Sequence, residues 1–222
     1  MMARDPPGPP VTASTNRMEA VMATGAARQV HYGVAASLDG YIAGPNGEAD
    51  WITMDPDIDF AGIFARFDAL LMGRRTFTGM VKPGKKGGSP WNMKTLVFSR
   101  TLKQADYPGV TIVSADPTQA IESLRSTEGK DIWLFGGGGL FASLAGMNLV
   151  DSVSVALVPV MLGRGLPLFP GDSARVPLKL TNQRVYEKSG IVSLEYEVLK
   201  PHPAAVPARP VLSSTAKSLP NP

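Results

Sequence analysis

The chain has 222 residues, 44% of them apolar, the composition of a globular domain of ordinary size. With no cysteine and two histidines it lacks the means to build disulfides, thiolate metal sites, a cysteine nucleophile or a histidine-based metal centre. Lys and Arg total 22 against 19 Asp and Glu, yet residues 29–199 hold 16 against 17, so the positive excess lies at the ends and the domain carries no footprint for nucleic acid.

Residues 1–28 contain Pro6-Pro7-Gly8-Pro9-Pro10 among small residues, and residues 200–222 are again proline-rich. Both read as disordered tails around one domain over residues 29–199. No run approaches the roughly 18 consecutive apolar residues of a membrane span, and no compact apolar segment follows positive charge at the N-terminus. The expectation is a cytoplasmic protein with no membrane contact.

In chain order, residues 29–38 form a strand that ends at the turn pair Asp39-Gly40, and the small Ala35 and Ala36 let a flat group lie close to its backbone. A long polar loop closes on Trp51. Asp55-Pro56-Asp57 then opens a helix whose apolar face is Phe60, Ile63, Phe64 and Phe67. The run Ala69-Leu70-Leu71-Met72-Gly73 fits a strand covered on both faces, and Arg74-Arg75-Thr76 follows it at once. Lys82, Lys85 and Lys86 belong to a solvated loop that leads past Trp91, read as a core or loop anchor, to a strand ending in Ser99 and Arg100. A further strand ends at Ser114, and residues 117–126 have helical spacing.

Ile132-Trp133-Leu134-Phe135 then runs into Gly136-Gly137-Gly138-Gly139, after which Leu140 resumes with helix formers. This is a strand, bare backbone and a helix whose first N–H groups and dipole suit a diphosphate. The third glycine of the dinucleotide fingerprint GxGxxG is missing, so a tight turn with no ligand is the competing reading. Residues 151–160 alternate as a strand, residues 161–169 are a loop, and residues 178–187 and 191–199 make a hairpin turned at Ser189-Gly190.

About eight strands and four or five helices in this order imply a three-layer α/β sandwich on a mixed, mostly parallel sheet with a C-terminal antiparallel hairpin. Ligands of such sheets sit beyond the carboxyl ends of strands. Those ends offer small residues, hydroxyls and guanidinium groups. Arginine beside serine suits the 2′-phosphate of NADPH, where NADH would call for an acid.

The segments Ser37-Leu38-Asp39-Gly40-Tyr41-Ile42-Ala43, Leu71-Met72-Gly73-Arg74-Arg75-Thr76-Phe77, Phe98-Ser99-Arg100, Gly136-Gly137-Gly138 and residues 159–169 come in order and at compatible spacing. Through them the chain resembles the dihydrofolate-reductase-like proteins, specifically the group related to the C-terminal reductase domain of the bifunctional riboflavin-pathway deaminase-reductase. The resemblance implies NADPH as cofactor and hydride transfer to a pyrimidine- or pterin-like substrate lying between the first strand and first helix. It places Arg74, Arg75, Ser99 and Arg100 near the adenosine end of the cofactor, and Ser114, at a strand end, is a further cofactor-binding candidate. Thr76 and the glycines Gly136, Gly137, Gly138 and Gly139 fall at the diphosphate, with Ala36 beside the nicotinamide, and Gly73 and Leu140 are further cofactor-binding candidates. Ser37, Trp51 and Phe169 are the substrate-side residues, and Tyr32 is a further lining residue.

For protonation the candidates are Asp57, its neighbour Asp59, and Asp39. Asp57 precedes Gly73 by the interval at which dihydrofolate reductases carry their helix carboxylate. Each has a structural alternative, Asp39 in a turn and Asp57 or Asp59 at a helix N-terminus. The chain lacks the zinc-deaminase motifs of the bifunctional enzymes, and after Thr76 it lacks their Asp-Asn-Pro and following arginine. The resemblance also implies a homodimer. The rival reading is a non-catalytic NADP(H)-binding or sensing module.

Overall fold

In the run at residues 69–72, Ala69 and Leu71 point to one side of a strand while Leu70 and Met72 point to the other, and all four are buried. A strand apolar on both sides requires a layer on each, and the computed structural model, which describes residues 27–81, 89–171 and 173–200, supplies both. The predicted tails, apart from their innermost residues, and the lysine-rich loop lie outside the described residues.

The strands are β1 (Val30–Ser37), β2 (Tyr41–Ala43), β3 (Phe67–Gly73), β4 (Lys94–Phe98), β5 (Thr111–Val113), β6 (Asp131–Gly136), β7 (Ser152–Val158), β8 (Leu166–Pro167), β9 (Leu178–Tyr186) and β10 (Ile191–Val198). The helices are α1 (Phe60–Ala65), α2 (Arg74–Met80), α3 (Pro117–Arg125) and α4 (Gly138–Gly146). An eight-stranded sheet runs β5-β4-β3-β6-β1-β7-β10-β9. Its first six strands are parallel, β10 is antiparallel to β7, and β9 is antiparallel to β10. The expected mixed, mostly parallel sheet with an antiparallel C-terminal hairpin is therefore observed. A two-stranded antiparallel ribbon, β2 with β8, lies apart.

One face of the sheet packs Leu71, Leu134, Tyr32 and Ala36 against Ile121 and Leu124 of α3 and Phe141 and Leu144 of α4. The other packs Leu70, Met72, Val97 and Trp133 against Phe77 of α2 and Ile63 and Phe64 of α1. Each fully buried Leu or Ile contributes about 1.5–3 kcal/mol, so these two layers stabilise the sheet from both sides. Among the described residues no helix is long and apolar enough to cross a membrane.

Two local expectations are corrected. The helix foreseen from Asp55 opens only at Phe60, because Asp55 accepts from the N–H of Asp57 and holds residues 55–57 in a turn. Asp59 caps α1 instead, its carboxylate accepting from Gly62 N–H at 2.8 Å. Phe67, assigned to the helix face, is the buried first residue of β3. Arg28, just before the predicted domain start, is buried and bonded to the carbonyls of Lys130 and Leu124, to Thr127 and to the Asp68 carboxylate.

Candidate functional site

β1 and β6 pair only through Val30 to Tyr32 against Ile132 to Leu134. Beyond that point β1 stays on β7 as far as Ser37, and β6 stays on β3 as far as Gly136. Each strand keeps its outer neighbour while the two part from one another, so the sheet opens at their carboxyl ends. On this side residues 33–37 of β1 and Phe135 of β6 have no ladder partner. The opening adjoins a topological switch point, since β3 continues into α2 on one face while its neighbour β6 continues into α4 on the other. Gly33 is required by Trp133, whose indole Nε1 donates to the Gly33 carbonyl at 3.4 Å and would stand 2.9 Å from a Cβ there. Ala36 has its side chain fully buried in the α3/α4 core, so only its main chain faces the opening.

The glycine turn sits beside this opening, and its four residues have different physical reasons. Gly136 has φ +154, and its peptide to Gly137 is cis. A Cβ at Gly138 would meet the carbonyl oxygens of Pro167 and Leu168 at 2.5 and 2.7 Å, so the bare backbone there admits the chain's own β8 segment. Gly139 is exposed, and a Cβ placed on it would have no other atom within 4 Å, while one on Gly137 would meet only Thr76 Oγ1 at 3.6 Å. Gly73 completes the contact, since a Cβ there would stand 3.7 Å from the Gly136 carbonyl oxygen. Leu140 does not offer its N–H outward as expected, because it donates to the Gly137 carbonyl at 3.0 Å. The N–H groups of Gly138 and Gly139 have no partner among the described residues, and they stand at the positive end of the nine-residue α4.

The neighbouring strand ends are basic. Gly73, Phe98 and Val113 are in register across β3, β4 and β5, which brings Arg74, Ser99 and Ser114 side by side just beyond the sheet. Arg74, Arg75 and Arg100 are exposed, and no hydrogen bond or ion pair engages their guanidinium groups among the described residues. Ser114 is exposed. Ser99 is buried, its hydroxyl accepting from Thr101 and Leu102 N–H at 3.2 and 3.0 Å, which folds the chain back and presents Arg100 outward.

The proposed acids are engaged in structure. Asp39 accepts from the Ser37 hydroxyl at 2.6 Å and from the N–H groups of Leu162 and Gly163 at 3.1 and 2.7 Å. These donors, the hydroxyl foremost, hold its carboxyl below the usual range, so it stays ionised and ties the end of β1 to the loop after β7. Ser37, expected on the substrate side, is fully buried, donates to Asp39 and accepts from Tyr41 N–H. Asp57 is exposed and pairs with Lys188 of the β9–β10 turn at 2.9 Å, and Asp59 caps α1. The buried Asp55, absent from the predicted set, accepts from Ser189 N–H at 3.0 Å and is held below the usual range by the Ser189 hydroxyl first and by Asp57 N–H next.

Trp51 is half-buried and donates to the Glu48 carbonyl at 3.2 Å. Phe169 meets Phe141 edge-on at 5.6 Å, on the α4 side. Tyr32 is fully buried and stacks on Phe141 at 4.1 Å, with its phenol pushed well above its usual value by burial. Sequence reasoning misses Trp91 and Phe135. Trp91 reads as an anchor in sequence, yet it is 45% exposed and lies 5.1 Å from Phe135 at the parting of β1 and β6. No group of three or more metal-ligating side chains occurs among the described residues.

Comparison with known proteins matches residues 28–192 to the model of the RibD C-terminal domain. The uncharacterized protein YyaP of Bacillus subtilis (strain 168) is 35% identical over 179 residues, covering 76% of this chain and 94% of YyaP. Among solved structures, a Shewanella sp. PV-4 protein assigned by name to riboflavin biosynthesis superposes with TM-score 0.65 at 24% identity, covering 78% of this chain and 99% of that one. The Thermotoga maritima diaminohydroxyphosphoribosylaminopyrimidine deaminase/5-amino-6-(5-phosphoribosylamino)uracil reductase gives TM-score 0.61 at 21% identity, covering 82% of this chain and 60% of that one. At these identities the structural likeness is one of fold.

Proposed function

The chain belongs to the RibD C-terminal domain family, and from that premise we propose that it is an NADPH-dependent reductase delivering hydride to a pyrimidine- or pterin-like ring. The observation that carries the reading is the parting of β1 from β6 beside a glycine turn with two free main-chain N–H groups. The residues present fit the cofactor. An open approach at Gly139 and the α4 N-terminus suit a diphosphate, and the exposed Arg74, Arg75 and Arg100 suit a 2′-phosphate. When bound, NADPH supplies a hydride, and the reduced ring takes up one proton.

In this proposal the N–H groups of Gly138 and Gly139 hold the diphosphate, Thr76 borders it, and Arg74 and Arg100 fix the adenosine end beside Ser99 and Ser114. The edge of β1 that faces away from β7 over residues 33–37 lines the opening. Asp39, fixed as a carboxylate, is a positioning residue that keeps the loop after β7 against the end of β1. It holds no proton to give near neutral pH, so water at the mouth is the proton source. A homodimer and a cytoplasmic setting complete the proposal; β9, an edge strand exposed along most of its length, offers a second copy a place to pair.

The binding-module reading draws on one observation, that Asp39, Asp57 and Asp59 are all engaged in structural contacts. Following NADPH consumption against a panel of pyrimidines and pteridines separates the two. Turnover with at least one ring supports the reductase, whereas tight NADPH binding with no turnover across the panel favours the module.

A further inference from the structure

Trp91 has φ 52 and Asn92 has φ 56, two consecutive residues in the left-handed region that side chains other than glycine rarely adopt. Backbone of this kind persists where its surroundings over-determine it, and here it lays the indole on a column of aromatic rings. The Trp91 ring is 5.9 Å from Trp133 at 24°, 5.5 Å from Phe64 at 28° and 5.1 Å from Phe135 at 58°. Trp91 caps the column and leaves 45% of its surface in solvent, while Trp133 beneath it is 9% exposed.

The place is as informative as the exposure. Phe135 is the residue after Leu134, the last of β6 to pair with β1, so it stands where the strands part. On the same face β1 presents Gly33, against which the Trp133 indole packs, and beyond it the small Ala35, alternating with the buried Tyr32 and Ala36 on the other. An aromatic wall beside a small residue accepts a flat ring and offers it a stacking surface.

We propose that the Trp91 indole, with Phe135 beside it, is the stacking surface that selects a planar heteroaromatic substrate at the β1/β6 opening. This rests on the reductase reading and goes beyond it by assigning ring selection to a residue outside the glycine turn and the basic strand ends. Trp91 touches the ring and not the dinucleotide, so its loss separates the two affinities.

The test is calorimetric titration of the full chain with NADPH, then of the NADPH-saturated chain with lumazine and with uracil as planar probes, for wild type, Trp91→Phe and Trp91→Ala. We expect Trp91→Ala to weaken the better-bound probe about tenfold or more while NADPH affinity stays within about twofold, with Trp91→Phe between. Quenching of tryptophan emission by that probe should be lost in Trp91→Phe, which keeps an aromatic ring in the fold. Unchanged probe affinity in both variants overturns the assignment, as does an equal loss of NADPH and probe, the mark of a purely structural role. A wild-type chain that binds NADPH but neither probe also overturns it, whereas one that fails to bind NADPH refutes the reductase reading itself.

Discussion

Alanine at Gly138 and at Gly139 should act in opposite directions, although the two are neighbours in the first turn of one helix. A Cβ at Gly138 falls 2.5 and 2.7 Å from the carbonyl oxygens of Pro167 and Leu168. These are main-chain atoms of the β8 segment, so relief requires the backbone to move, and overpacking of that kind costs about 1–3 kcal/mol. The gain in helix propensity from replacing glycine is at most about 1 kcal/mol, and less in the first turn. Gly138→Ala is therefore destabilising by about 1–2 kcal/mol, which in a domain of this size lowers Tm by roughly 2–8 °C. At Gly139 nothing lies within 4 Å, so alanine brings only the propensity gain and raises Tm by roughly 1–3 °C. Folding does not require a glycine at 139, and the proposed site accounts for its bare backbone as room for ligand approach. Gly139→Ala should consequently weaken NADPH about tenfold in a fluorescence titration while unfolding at or above the wild-type temperature. A Gly138→Ala protein as stable as wild type refutes the packing argument, and unaltered NADPH affinity in Gly139→Ala refutes the diphosphate assignment.

Replacing Arg74 or Arg100 with Ala should weaken NADPH about tenfold or more and leave NADH nearly unaffected, since only NADPH carries the 2′-phosphate; equal losses in paired titrations would contradict that assignment. Arg28→Ala removes bonds to the Lys130 and Leu124 carbonyls and leaves Asp68, whose side chain is 40% exposed, to water. The charge contribution is accordingly small and the loss is about 1–3 kcal/mol, seen as a lower midpoint in urea with an unchanged slope. Asp39 and Asp55 both have lowered folded-state pKa values, so the native state binds fewer protons than the unfolded chain. Their stabilisation is complete above the unfolded carboxylate value of about 4 and is lost as pH falls through the lowered folded values. Asp55→Asn should flatten the acid limb of a Tm-against-pH curve; an acid limb unchanged in that variant would contradict the Ser189 contacts.

The sheet is legible in the sequence because its strands are apolar on alternate or on both sides, as in residues 69–72, and a pattern of period 2 survives any tertiary arrangement. The basic strand ends are legible for a related reason. Arg74, Ser99 and Ser114 each follow a strand directly, and parallel register aligns them without further information. The start of α1 is not, since Asp55, Asp57 and Asp59 are equally plausible caps in sequence. What separates them is contact with Ser189 and Lys188, more than 120 residues away. Asp39 looks available for the same reason, until the loop at Leu162 and Gly163 folds onto it, while Ser37 is engaged locally by Asp39 and Tyr41. The parting of β1 from β6 is a matter of where pairing stops, which no side-chain pattern encodes. Trp91 is hidden in the sequence because its left-handed backbone is dictated by the aromatic column beneath it and not by its own preference.

If the opening between β1 and β6 and the glycine turn beside it form an NADPH site, titration of the full chain with NADPH and with NADH, followed by the change in nucleotide fluorescence, will reveal it. Saturable 1:1 binding of NADPH is expected, at least about tenfold tighter than NADH and weakened by Gly139→Ala. Absence of NADPH binding, or equal affinity for the two nucleotides, would contradict the assignment.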